Sequence, residues 1–289
     1  MTKILLDTDI GNDMDDMQAL AYLLARPDAK ILGITTVTGE PVVRAQLADL
    51  MCKLAKKDIP IHVGADTGLS GAFRQDTVSP KEKVLPDAFP HRAEFAADAV
   101  DFLRSVIRAH PGEITLCCIG PLTNIAMLFE SDPEIPSLLK NVILMGGRFG
   151  DVDTARWGAQ EWNIINDVRA AQIVFDAPVR EMRIFGVEQT SRVFRTDTDH
   201  VADAAEACDC LVPFSRAIRT SKDAWYHDVV ALAALFDDRG MRFARGTVSV
   251  TDAGDTVFAP SESGRHQLLT ALDVPWFFRH YFATVGIAE

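Results

Sequence analysis

Apolar positions along the chain fall into two patterns that alternate. Short β-rich apolar runs stand at KILLDTD (3–9), AKILGITTV (29–37), IPIHVGA (59–65), EITLCCIG (113–120), NVILMGG (141–147) and VREMRIFGV (179–187), and each reads as a strand. Between them, apolar residues recur every three or four positions, which predicts helices over 15–26, 41–57, 93–109, 121–130 and 167–176. Pro41 opens the second of these at its first turn. Helical patterns fill much of 198–238, and a strand near 265–272 precedes a last helix at 273–284. Strand and helix alternating at this spacing predict an α/β fold: an open, mostly parallel central sheet, Rossmann-like, with helices on both faces and right-handed crossovers. The ligand crevice of such a sheet lies beyond the carboxyl ends of its strands. One rim should therefore carry the residues after the first strand, Gly120-Pro121, Met145-Gly146-Gly147 and Gly186.

Neither repeats nor a linker interrupt the pattern, and 289 residues with 48% apolar content suffice for one large domain over 1–289. The stretch 66–92 has no period and carries Gly68, Gly71, Pro80, Pro86 and Pro90; it is expected to be an active-site loop. A formal charge of −12, with no Lys/Arg cluster, argues against nucleic acid and anionic membrane as partners. The start, MTKILLDTD, turns acidic too early for a secretory signal, and no stretch approaches a membrane span, so a cytoplasmic location is expected. Five cysteines give neither a disulfide framework nor zinc spacing and are expected to be reduced.

Chemistry concentrates in LLDTDIGNDMDDMQAL (5–20), where Asp7, Asp9, Asp13, Asp15 and Asp16 crowd behind a buried strand. Two carboxylates 5 Å apart repel by roughly 3 kcal/mol at an effective dielectric near 20. A helix amino terminus returns only about 0.3–1 kcal/mol per acid. An arbitrary acidic turn would fan into water, with Asp13 or Asp15 capping the helix, but acids at the end of a buried strand cannot all do so. The deficit points to a bound cation, and an all-oxygen donor set selects calcium or magnesium over zinc. The twelve-residue calcium-loop template fails, because Asn12 stands where its glycine belongs and Gln18 where its glutamate belongs. Further ligands must come from elsewhere. CIGPLTNIA (118–126) turns backbone groups toward the crevice; AQEWNII (159–165) puts Glu161 and Asn163 two apart, on one side of an extended segment; WYHDVVALAAL (225–235) starts an apolar helix with His227-Asp228. Each is weak alone, and the combination carries the weight.

DTDIGNDMDD, IPIHVGA, EITLCCIGPLTNIA, NVILMGG, EWNIINDVRAAQIVF and HD at 227–228 together resemble the calcium-dependent nucleoside hydrolases of the inosine-uridine-preferring type, in order and over most of the chain. The resemblance implies a ribonucleoside substrate, a Ca2+ cofactor and a homodimer or homotetramer. It implies Asp9 as calcium ligand and general base, with Asp16, Asp228 and the carbonyl of Thr123 as further ligands. One of Asp13 and Asp15, with Glu161 and Asn163, would hold the ribose hydroxyls, Met145 would lie beneath the sugar, and His91 would come from a lid. His227 matches the position linked to protonation of the leaving base. The chain departs from the commoner D-x-D-P-G-x-D-D pattern at Ile10 and in two extra residues before Asp15-Asp16, which leaves Asp13 and Asp15 as alternatives. Ala155 stands where members carry an asparagine for the far end of the ribose, followed by Arg156 and Trp157.

The chemistry fits the residues directly. Cleaving an N-glycosidic bond puts positive charge on the ribose ring, which a carboxylate-rich pocket stabilises more than it does the neutral substrate. His227 is expected to protonate the base or else to orient Asp228. Trp157, Trp162, Trp225 or Tyr226 can stack on the base, Trp162 being either core or pocket wall. Asp7 is expected to be structural, held by backbone at the strand end. Two rivals remain at this stage: a non-catalytic calcium-dependent nucleoside or sugar binder, and a magnesium-dependent phosphatase, whose D-x-D motif wants a hydroxyl residue where Gly11 stands.

Overall fold

The computed structural model describes residues 1–11, 14–78, 92 and 94–286. Strands β1 (Thr2–Thr8), β2 (Ala29–Thr36), β3 (Ile61–Val63), β4 (Ile114–Cys118), β5 (Asn141–Met145) and β6 (Met182–Phe185) form the expected parallel body. A two-residue pair, β7 (Phe194–Arg195) and β8 (Ala224–Trp225), stands apart from the main sheet. Strands β9 (Met241–Val250), β10 (Thr256–Pro260) and β11 (His266–Leu272) complete a nine-stranded sheet of order β10-β9-β11-β6-β5-β4-β1-β2-β3. β9 runs antiparallel to both β10 and β11, while β11 pairs parallel with β6. The β9–β10 hairpin has no counterpart in the sequence reading.

Helices α1 (Asp15–Ala25), α2 (Pro41–Leu54), α3 (Ala99–Ala109), α4 (Thr123–Ser131) and α5 (Ile135–Leu138) link the first five strands. Four short or medium helices follow: α6 (Thr154–Trp157), α7 (Trp162–Asn166), α8 (Val168–Asp176) and α9 (Val187–Thr190). Then come α10 (Thr198–Glu206), α11 (Ser215–Thr220), α12 (His227–Ala233) and α13 (Val274–Val285). Among the described residues no helix is long and apolar enough to cross a membrane.

The central strands of the parallel body are buried on both faces. Along β1, Ile4 and Leu6 enter the core shared with α1, α2, α12 and α13, whereas Leu5 enters the other, shared with α3, α4 and α8. This is why the strand reads as an unbroken apolar run rather than an alternating one. The chain travels outward from β1 through β2 to β3, then returns to β4 on the other flank of β1 and continues to β5 and β6. The topological switch therefore lies between β1 and β4, and a crevice opens beyond their carboxyl ends.

Candidate active site

Asp9 follows β1 directly and is held by its backbone. Arg44, fully buried on α2, donates through Nη1 to the carbonyls of Asp9 and Ile10, the latter at 3.0 Å, and through Nε to Gly39 O at 2.9 Å. Its guanidinium thus pins the turn and places one positive charge under the aspartates. Gly120, after β4, lets Asp9 approach: a Cβ there would stand 2.9 Å from both Asp9 N and Oδ1. α1 begins without a side-chain cap, at Met14, and Asp15 and Asp16 occupy its first turn. Neither serves as the capping residue. Thr8 donates its hydroxyl to Asp16 Oδ1 and accepts from Ile10 N at 3.1 Å, so the strand end and the helix start are locked together.

Asp228, in the first turn of α12, faces this pair across the crevice. One oxygen each from Asp15, Asp16 and Asp228 can be chosen so that all lie within 4.8 Å of one another, and all three residues are buried. The group shares Asp16 and Asp228 with the expected ligand set and adds Asp15. Asp9 lines the same cavity alongside it. Thr123 opens α4 and gives its hydroxyl to Asp167 Oδ2 at 2.7 Å.

That cavity, about 250 Å³, is lined by Asp9, Asp15, Asp16, Gln75, Ile119, Met145, Arg156, Trp157, Glu161, Trp162, Asn163, Val187, His227 and Asp228. Ten candidate residues named from the sequence thus meet in one place: Asp9, Asp15, Asp16, Met145, Trp157, Glu161, Trp162, Asn163, His227 and Asp228. Asp13 and His91 lie outside the described residues.

Glu161 and Asn163 reach the cavity by a route the sequence reading misjudged. The segment is not extended: Glu161 is the amino-terminal cap of α7, and Asn163 lies inside that helix. Glu161 accepts from Asn163 N at 3.0 Å, Gly147 N at 3.0 Å and Ile164 N at 3.1 Å. Burial outweighs those three donors and pushes its carboxyl up to about 7. Asn163 anchors its Nδ2 on Ile119 O and Met145 O, at 3.1 and 3.2 Å, tying α7 to the ends of β4 and β5.

One wall is aromatic. His227 Nδ1 lies 2.8 Å from Thr190 Oγ1. Trp157 packs edge-on against both His227 and Trp225, with centroids 4.8 Å away in each case, and Trp225 lies nearly parallel to His227 at 5.7 Å. Trp162, 41% exposed, is pocket wall rather than core. Tyr226 cannot stack on a ligand, because it is fully buried among Phe277, Phe278 and Tyr281. Asp7 is structural as expected, but side chains hold it: Thr35 Oγ1 donates at 2.5 Å and Asn124 Nδ2 at 2.8 Å. Burial raises its carboxyl to about 7. All five cysteines are free thiols.

Missed by the sequence reading were Arg44, Gln75, Ile119 and Val187. A signal existed for the first alone: Arg44 falls on the stripe with Leu47, Ala48 and Met51, at core spacing, where a charge demands a reason.

A nine-stranded, mostly parallel sheet with a carboxylate-lined crevice at its switch point is the architecture of a small-molecule enzyme. The sequence profile described as inosine-uridine preferring nucleoside hydrolase matches residues 4–279, and the chain belongs to that family, hydrolases acting on N-glycosyl bonds. It is 28% identical over 271 residues to a uridine nucleosidase of Arabidopsis thaliana, covering 87% of this chain and 79% of that one. It is 29% identical over 276 residues to the inosine-uridine preferring nucleoside hydrolase of Crithidia fasciculata, covering 87% and 84%. In fold it resembles a purine-preferring ribonucleoside hydrolase from Gardnerella vaginalis, with a TM-score of 0.82 at 21% identity over 98% of both chains.

Proposed function

We propose that this chain hydrolyses ribonucleosides to free base and ribose, with Asp9 as general base and calcium as the resident cation. The observation that carries the reading is the union of a buried acid cluster and a histidine-aromatic wall in one cavity. Positive charge developing on the ribose ring meets those acids, which therefore favour the transition state over the neutral substrate.

The donor set fits a hard cation, being three carboxylates with oxygens mutually within 4.8 Å. Asp16 and Asp228 would hold the ion, with Asp9, Asp15 or the Thr123 carbonyl completing the set. When bound, it supplies a fixed charge that lowers the pKa of water and grips vicinal hydroxyls. Asp9 takes the proton of the attacking water. Glu161, Asn163 and one of Asp13 and Asp15 hold the ribose hydroxyls over Met145, and the family resemblance adds His91 to the substrate-binding residues. His227 protonates the departing base through Nε2, since its Nδ1 is engaged by Thr190. Trp157 and Trp162 flank the base.

Purine, pyrimidine and modified ribonucleosides, incubated with the protein and separated by HPLC, test the reading. Base and ribose should appear in equal amounts, vanish on treatment with a strong chelator and return with added calcium. Full activity in metal-free protein would remove the cation, and nucleoside binding without ribose release would make the protein a binder. Light scattering of the purified protein tests the homodimer or homotetramer that the family resemblance implies.

A further inference from the structure

The cavity carries charge of both signs, unequally placed. Five acids, Asp9, Asp15, Asp16, Glu161 and Asp228, line it, and Arg156 is the one arginine or lysine among the described residues that does. Its position is fixed from two sides. Nη2 lies 2.6 Å from Asp223 Oδ2, a carboxylate whose side chain is 7% exposed and which does not itself reach the cavity. The guanidinium lies over the Trp225 ring at 4.3 Å and 5.5 Å from the centroid of Trp157. Both of these rings pack on His227. Arg156 therefore lines the histidine side of the cavity, with its guanidinium held between Asp223 and the Trp225 ring. Only one of its five N–H donors is taken by the Asp223 contact.

We infer that Arg156 binds the nucleobase and stabilises it as an anionic leaving group, so that the site favours bases carrying a carbonyl oxygen beside the glycosidic nitrogen. The inference rests on the hydrolytic reading given above. In that reaction the C1′–N bond breaks with its electron pair going to the base, and the water oxygen bonds to C1′. The water proton passes to Asp9, and His227 gives its proton to the base only once negative charge has built up on it. Negative charge so delivered spreads over the ring nitrogen and the neighbouring carbonyl, within the chemistry a planar guanidinium recognises. The acids at the sugar end and the guanidinium at the base end then match both halves of a charge-separated transition state.

The test compares kcat/KM for uridine, whose base leaves poorly, with that for p-nitrophenyl riboside, whose nitrophenolate leaves unaided. Arg156→Met should lower the uridine value about 10²-fold and the nitrophenyl value by less than about 5-fold. Arg156→Lys keeps the charge but not the planar fork, and should lose about 10-fold on uridine with the same selectivity; it carries the test should the methionine variant aggregate. Equal losses on both substrates would overturn the inference, as would an unchanged uridine rate. So would a loss confined to uridine 5′-phosphate, which would put the guanidinium at the far end of the ribose. Absence of turnover by the unmodified protein on every nucleoside would instead defeat the hydrolytic reading, and it would be seen before any variant is made.

Discussion

Asp9 owes its position to neighbours of opposite kinds, a buried guanidinium below its backbone and a glycine that clears space beside its carboxylate. Neither is changed by Asp9→Asn, which preserves shape and removes the proton acceptor proposed above. That variant should lose about 10²–10⁴-fold in kcat while keeping the melting temperature of the parent within a few degrees. Near-normal turnover would take the base role from Asp9. At this scale the sequence was readable as to which residues meet, as with Asp16, His227 and Asp228, which line one cavity. It was not readable where a side chain works through backbone. Arg44 touches only carbonyl oxygens in the contacts described, and nothing in a sequence marks which carbonyls a buried arginine will find. Glu161 and Asn163 were found for a reason that proved false: a period of two in an extended chain, where the real cause is a helix cap next to a first-turn residue.

Among the elements, the junction of α7 and α8 does more than connect. Asp167 caps α8 and gathers five donors onto one buried carboxylate: Leu69 N, Ser70 N and Oγ, Thr123 Oγ1 and Ala170 N, at 2.7 to 3.2 Å. The segment 66–78, which brings Gln75 to the cavity, is thereby fastened to the start of α4, and Asn166 adds a bond to Arg74 N at 2.9 Å. Asp167→Asn would set an amide N–H₂ against donors on at least one side. It should cost about 2–4 kcal/mol in urea unfolding and expose 66–78 to limited proteolysis. A variant that resists both like the parent would show that the loop is held by other means. The strands and helices of the parallel body were legible because each buries a continuous run or a 3.6-residue stripe. The β9–β10 hairpin was not: β9 carries Arg242, Arg245 and Gly246 within a partly exposed pattern, and β10 ends on Pro260 at the sheet edge, where neither alternation nor burial gives a clear period.

Over the whole molecule, buried ionisable groups oppose one another across the same pH range. Asp7 and Glu161, both raised to about 7 by burial, contribute stability that is complete below the ordinary carboxylate range and lost as pH rises through 7. His266, fully buried, accepts from Val248 N at 2.7 Å and is lowered to about 4 by burial, then by Arg265. Its contribution is complete above 6.5 and lost as pH falls through 4. Comparing His266→Gln with the parent cancels the acids. The difference in melting temperature should move in favour of the variant by a few degrees between pH 7 and pH 4.5 in metal-free protein. A difference that does not change with pH would mean that the histidine is not held neutral. The wall facing the acids has the opposite dependence on the fold: α6 supplies Arg156 and Trp157, yet none of its four residues is buried. These four positions can therefore be rewritten without disturbing either core, so under the function proposed above base selection is separable from the scaffold.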